Sequence, residues 1–409
     1  MSTPAPLRNG SALLRQRDFR RLFAARAVSA FGTGMAFVAL PFGVLHVVGS
    51  DHPGPVGWVA ASATATQLGF QLFAGALADR GSRQRMLVVG DALAATSQAV
   101  FAALLVADVA TVPAMMGLAA VTGLALALHH PASVGLVPLV VERRDLVPGN
   151  ALLSAAVHST QGLGAAAGGL LVAAAGAGVA LAFDAASFAV SGLLVWTLRP
   201  SLQPRLASPG LWSELRAGWA EFTSHRWLWT IVLQFSLLVM GWHATYGVIG
   251  PIVADRAMGG AADWGWVAAG LGLGLVAGAL VAMRVRIARP MLVGSIGTLG
   301  LALLPLLLIE PAPLPWLVAG TFVGGLGIEV FGVLWNTALH TRVAPEMLSR
   351  VSAYDAVGSM ALAPLGEALA GTMVARVGTA PALELAAAAI VVPTLLVLLV
   401  PEVRQLRSA

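Results

Sequence analysis

Apolar positions along this chain arrive in runs of twenty or more, broken by short clusters of Arg, Asp, Pro and Gly. Twelve such runs fall near 21–49, 55–78, 85–107, 111–140, 148–175, 177–198, 227–254, 263–283, 290–309, 313–341, 350–375 and 379–400. About 20 apolar residues cover the roughly 30 Å hydrocarbon core of a bilayer, so each run predicts one crossing. Lipid offers no partner to a free backbone amide, so every crossing is expected to be helical. The runs at 111–140 and 313–341 are long enough to tilt. The basic, then apolar, amino end resembles a leader, but its apolar run continues to Gly49 and is expected to stay as a first helix.

The polar breaks repeat. Gly75–Val88 reads GALADRGSRQRMLV, between the second and third runs; Gly278–Val293 reads GALVAMRVRIARPMLV, between the eighth and ninth. At nearly the same offset Gly123-Leu124 matches Gly325-Leu326, and Gly169 matches Gly371. Two copies of six helices that start on the same side form a parallel repeat about an axis along the membrane normal. The expected fold class is therefore an all-α membrane protein with twelve transmembrane helices in two six-helix bundles. The expected division is an N-terminal arm 1–20, a bundle 21–198, a linker 199–226, a bundle 227–400 and a tail 401–409. The linker contains LWSELRAGW, a predicted surface helix with tryptophans at headgroup level. Gly162, Gly164, Ala165, Ala166, Ala167, Gly168 and Gly169 equip the fifth helix for close approach to a neighbour.

Charge sets the orientation. With the amino end in the cytoplasm, the arginines fall in the arm, in 80–85, 143–144, 199–226, 284–289 and 342–350 and in the tail, leaving Arg256 and Arg376 outside. The outer turns hold Asp51, Asp108, Asp255, Asp263 and Glu310 instead. This asymmetry predicts both termini inside. Composition agrees: 58% of residues are hydrophobic and 11% charged, against about 25% charged in soluble domains. All 24 basic residues are arginine and cysteine is absent. That excludes disulfides, thiolate metal sites, the lysine of a phosphate-binding loop and a Schiff-base lysine. The net charge of +5 belongs to the arginines beside the spans, and no nucleic-acid partner is expected. No cofactor is expected either. The arginine-rich, lysine-free sequence suggests a GC-rich bacterium, hence its inner (plasma) membrane.

The turn after the second helix carries Gly75, Asp79, Arg80, Gly81, Arg83 and Arg85, and resembles the G-x-L-x-D-R-x-G-R-x-R signature of the major facilitator superfamily. SAFGTGMAFVALPFGVL, HHPASVGLVPLVVERRDLVPGNALLS, FDAASFAVSGLLVWTLRP and WNTALHTRVAPEMLSRVSAYDAVGSMALAPLGEALAG resemble its drug-exporter branch, which includes macrolide and enterobactin exporters. The likeness covers nearly the whole chain. It departs at Thr33, where relatives commonly have aspartate, at Ala166-Ala167-Gly168-Gly169, which lacks a Gly-Pro pair, and in the fourth helix, which lacks an arginine. The resemblance implies that Asp79 sits at the cytoplasmic face between the halves, near Arg350, as a latch that opens when the halves rock. The second copy has Ala282 in that place, so one latch is complete.

Ionisable groups within a bilayer cost about 2.5–3.5 kcal/mol each on insertion scales and are functional candidates by default. Glu329 and Glu367 lie deepest; Asp184 and Asp91 lie nearer a span end and match positions that look structural in the family. The resemblance implies a central cavity lined by helices 1, 4, 7 and 10. Glu329 is expected to face it together with His129, His130, Gln234, His243, Tyr246 and Asn336. His129 and His130 are adjacent and point apart on a helix, so no metal site is expected. Pro41, Pro131 and Pro364 are expected as kinks. Of Trp227, Trp229, Trp242, Trp264 and Trp266, most are expected as interface anchors, while Trp242 and Tyr246 could stack on a flat substrate.

These readings converge on a secondary active exporter of small amphipathic molecules such as antibiotics or siderophores, driven by inward protons, acting as a monomer and not as an enzyme. An importer on the same fold stays open as an alternative, although no buried arginine for an anion is evident. A non-transporting sensor stays open as well.

Overall fold

The computed structural model describes residues 13–199, 211–285 and 287–406, and among them every regular element is a helix. Helices α1 (Arg17–Val48), α2 (Gly54–Arg80), α3 (Arg83–Val106), α4 (Val112–Val140), α5 (Leu146–Ala175) and α6 (Ala177–Trp196) come first. The linker helix α7 (Leu211–Ser224) follows. Then come α8 (Arg226–Ala257), α9 (Gly260–Ala282), α10 (Pro290–Ile309), α11 (Leu314–Arg342), α12 (Glu346–Val377), α13 (Thr379–Val397) and a short α14 (Pro401–Gln405). Their ends follow local chemistry. Proline occupies the first turn of α2, α4, α10 and α11, where its missing N–H costs nothing. Ser82 caps α3 by accepting from the Arg85 N–H at 3.3 Å.

Ten helices among the described residues are long and apolar enough to cross a membrane: α1, α3, α4, α6 and α8 to α13. The chain is a multi-pass membrane protein. Helices α2 and α5 are as long, at 27 and 30 residues, but richer in small and polar residues. The reason lies in their packing. α2 lies on α4 and on α12, and α5 lies on α1 and on α9, so both are covered by protein on two sides.

The remaining contacts sort the helices into two sets. α1 packs on α5 and α6, and α3 on α4 and α6; α9 and α10 pack on α11, and α8 on α12 and α13. Two crossings join the sets, α5 with α9 and α2 with α12. Both are built on glycine. A Cβ at Gly272 would press on the Gly162 backbone, one at Gly265 on Gly169, and one at Gly371 on Pro53 and Gly54. Lipid removes the hydrophobic drive between helices, so close backbone approach and van der Waals contact hold these crossings.

The joining is one-sided. The largest apolar cluster combines Val38, Val56 and Ala165 with Val248, Trp264 and Ala370, and sits towards the face opposite the chain termini. On the terminal face the core divides in two. Phe19, Leu87, Leu136 and Val195 pack among the first six helices, and Trp227, Phe331, Leu339 and Val403 among the later ones.

Two irregularities interrupt the spans. α8 passes through a π turn at Ala244–Ile249, and α12 breaks at a turn over 361–362, with Pro364 in the first turn of the segment that follows. Pro41 and Pro131 lie inside α1 and α4 as expected, and Pro138 joins them in α4. The tryptophans divide against expectation. Trp229 and Trp266 are exposed, but Trp227 and Trp264 are buried, Trp264 beneath Gly250 and Trp227 edge-on to Trp335. In the linker, Trp219 is exposed, stacks with Phe222 and packs tilted against Tyr354; the side chain of Trp212 lies outside the described residues.

Candidate transport pathway and coupling residues

The arginine-rich turn after α2 is tied to its own set of helices. Gly81 ends α2 with its N–H on the Leu77 carbonyl at 2.8 Å. Arg83 donates to the Gly135 carbonyl of α4 at 2.7 Å, over a glycine whose Cβ would collide with the guanidinium. Gln84 donates to the Val195, Trp196 and Leu198 carbonyls at the end of α6, at 2.9–3.0 Å. Arg85 contributes its backbone N–H to the Ser82 cap. Among the described residues nothing lies within 4 Å of where a Cβ on Gly75 would be. The side chains of Asp79 and Arg80 lie outside the described residues. Arg350, the implied neighbour of Asp79, packs against Gly218 of α7 and reaches the Met347 sulfur at 3.5 Å.

Two buried aspartates are enclosed within the first set. Asp184 accepts from Gln98 Nε2 at 2.8 Å and from the Ser187 hydroxyl at 3.4 Å, against Gly32 of α1. Asp91 accepts from the Ser191 hydroxyl at 2.8 Å and lies 3.5 Å from His129 Nε2. His129 is thus engaged with α3; the side chain of His130 lies outside the described residues. Half-buried Arg26 of α1 is close enough to Asp91 to interact electrostatically. It is a half-buried arginine that the span pattern hid, because it sits near the arginine-rich start of α1. Gln234 also departs from expectation. It is buried and donates to the Thr394 hydroxyl at 3.0 Å, so it faces α13 within its own set and not a central space.

The groups that meet between the sets are different ones. Glu329 on α11 is half-buried and interacts electrostatically with His158 on α5. Asn336 is exposed two turns further along α11, on the same side as Glu329, with its amide on the Gly332 carbonyl at 2.8 Å. His158 also lines a cavity of about 90 Å³, together with Gly34, Phe37, Gln161, Tyr246 and Gly272 among others. That is room for a few waters, not for a drug-sized molecule. Tyr246 roofs it, but both its faces are taken. Phe37 stacks at 4.5 Å and Trp242 at 4.7 Å, so Tyr246 offers no free face to a substrate in this conformation. Next to it, His243 Nδ1 lies 2.8 Å from Glu367 Oε1. The other carboxylate oxygen, Oε2, is buried with no hydrogen-bond partner.

At the face opposite the termini, the Ser50 hydroxyl donates to Asp255 and Arg256 donates to the Ser50 carbonyl, clasping the end of α1 to the end of α8. His46 and Asp108 pair at 3.4 Å beside a vestibule of about 610 Å³. Among the described residues no three His, Asp or Glu side chains are placed to share a metal ion. His158, Gln161 and the Ser50 clasp escaped the sequence reading. His158 had a legible signal, an imidazole in the polar stretch His158-Ser159-Thr160-Gln161 in mid-span.

Comparison with known proteins matches this architecture to one family. Residues 8–314 match the transmembrane secretion effector family. The enterobactin exporter EntS of Shigella boydii is 26% identical over 426 aligned positions, covering 100% of this chain and 98% of that protein. In fold, the chain resembles the nucleoside transporter NupG, with TM-score 0.72 and 15% identity over 93% of this chain and 98% of that one. It also resembles a POT family transporter solved with 5-aminolevulinic acid, with TM-score 0.69 and 12% identity over 95% and 97% of the two chains. The chain belongs to the transmembrane secretion effector family of major facilitator superfamily transporters.

Proposed function

We propose that the chain exports small amphipathic molecules in exchange for inward protons, by alternating access between two six-helix bundles of twelve spans. The bundles are 21–198 and 227–400, joined by the linker 199–226, with both termini in the cytoplasm of a bacterial inner membrane. One observation carries the reading: the sets of helices touch through glycine crossings towards the face opposite the termini, while their cores divide on the terminal face. With the termini inside, this is the state open to the cytoplasm, and rocking about the crossings would expose the other side. The full-length likeness to an exporter favours the outward direction. Glu329, facing His158 across the two sets, is placed to bind a proton in one state and release it in the other; Glu367 with His243 is the second such pair. Asn336 adds a polar contact for substrate beside Glu329. Asp184, Asp91, His129 and Gln234 brace the bundles.

A second reading rests on Arg26. A half-buried guanidinium on a helix expected to line the cavity could hold an anionic group, which would also suit an importer of organic acids.

Purified protein in liposomes enclosing a pH-sensitive dye tests both. Dyes, macrolides and siderophores are added under an imposed proton gradient. Substrate-dependent proton movement that disappears in Glu329→Gln supports the antiport reading. Substrate movement with no proton flux removes the coupling, and uptake of small organic acids abolished by Arg26→Gln favours the importer.

A further inference from the structure

One segment of α8 carries a tether, a register defect and a clasp in sequence. His243, at its start, is held by Glu367 of α12 at 2.8 Å. The π turn Ala244–Ile249 follows at once. Inside it Gly247 leaves room for the carboxylate, since a Cβ there would lie 3.9 Å from Glu367 Oε1. Tyr246, also in the turn, is gripped by Phe37 of α1. Beyond the turn Gly250 packs under the Trp264 indole, and the helix ends on Asp255 and Arg256, which clasp Ser50.

A π turn holds one residue more than the α register and is less favourable, so tertiary contacts must hold it in place. Taking that residue into the α register would rotate everything beyond it by about 100° and push it along the axis by about 1.5 Å. A rotation of that size carries Asp255 and Arg256 off Ser50. The contact positioned to hold the turn is the His243–Glu367 bond, which spans it from outside. Gly57 of α2 presses on the Glu367 carbonyl, so the first set of helices bears on the same point.

We propose that the His243–Glu367 pair holds the π turn of α8, and that breaking the pair lets the turn relax to α register and releases the Asp255–Arg256 clasp on Ser50. The other titratable groups near this junction are Tyr246 in the turn and Asp255 and Arg256 at the clasp. Among the described residues, α1 contributes His46 at its far end, α9 contributes Asp263 on the Gly259 N–H, and α13 contributes Glu384, which is exposed. The inference rests on the alternating-access reading and names the element that links its buried acid to its outer closure.

The chain has no cysteine, so labels can be placed singly. Spin labels at Asp51→Cys and Ala257→Cys, both exposed beside the clasp, report its opening in lipid nanodiscs. The expected result is a short distance in the labelled parent. A longer one should appear in His243→Ala and in Glu367→Gln, but not in a variant lacking Gly247, whose shortened turn is α-helical and leaves the residues beyond it in place. Adding Glu367→Gln to the Gly247 deletion should leave the short distance, because no extra residue remains to relax. If the pair-breaking substitutions leave the short distance in place, the proposal is overturned, whether or not the deletion variant folds. The distances need no substrate. An opening clasp in a protein that moves no substrate or proton in liposomes would therefore refute the transport reading and leave the coupling standing.

Discussion

Gly176 and Gly378 adopt the same backbone conformation, φ 85° and ψ 161° against φ 93° and ψ 171°, at the α5–α6 and α12–α13 turns. They stand at the same offset as Gly169 and Gly371, so the repeat seen in the sequence extends to individual dihedral angles. That region is essentially closed to residues with a Cβ, at a cost of about 1–3 kcal/mol. Gly176→Ala and Gly378→Ala should each lower the thermal unfolding midpoint in detergent, followed by tryptophan fluorescence. Equal midpoints for wild type and both variants would show that these turns carry no such strain.

Arg83 and Gly135 should act as one unit. Arg83→Ala removes a charged donor to the Gly135 carbonyl, a bond of about 1.5–3 kcal/mol. Gly135→Leu should displace the guanidinium and lose most of the same stability. The double variant should then be little worse than either single one, a coupling read directly from a double-mutant cycle. Additive losses would mean that the two positions act separately.

Gly75 has open space around it, so a larger side chain should leave this conformation as stable as before. On the proposed alternating-access cycle, the close approach that glycine permits belongs instead to the state in which the ends on the terminal face meet. Gly75→Leu is expected to keep the wild-type melting temperature while transport in liposomes falls at least tenfold. Full transport by Gly75→Leu would show that no close contact forms there during the cycle.

Asp184 should matter for its hydrogen bonds and not for a proton. Asp184→Asn can still accept from Gln98 through its amide oxygen and donate to the Ser187 hydroxyl through its NH2, so proton-coupled transport should persist with near-normal stability. Asp184→Leu strands the buried Gln98 amide and should cost about 1–3 kcal/mol. Loss of proton coupling in a well-folded Asp184→Asn would move the coupling role to this residue.

Part of the candidate site was legible in the sequence. Glu329, Glu367 and His243 stood out as ionisable residues in apolar spans, and Glu367 with His243 proved to be a bonded pair. Their partners were not legible. His129 and Gln234 looked like cavity residues, yet one meets Asp91 and the other Thr394. Tyr246 looked free to stack and is already sandwiched. Arg26 was read with the basic arm and lies beside a buried aspartate. The π turn left no mark beyond the glycines at 247 and 250, which suit many other backbone shapes.

The sequence by itself determined the solvent, the helical character and the internal repeat. Each depends on quantities a linear chain displays: the length of apolar runs, the placement of arginines and the recurrence of glycines at one offset. Tertiary structure alone decided which faces meet, which acid finds which histidine, and that the two sets of helices close towards the face opposite the chain termini. The physical reason is that lipid and protein interior are equally apolar, so a buried helix face and a lipid-facing one read alike. Only the backbone contacts at Gly162 and Gly272, and the reach of Glu367 to His243, distinguish them.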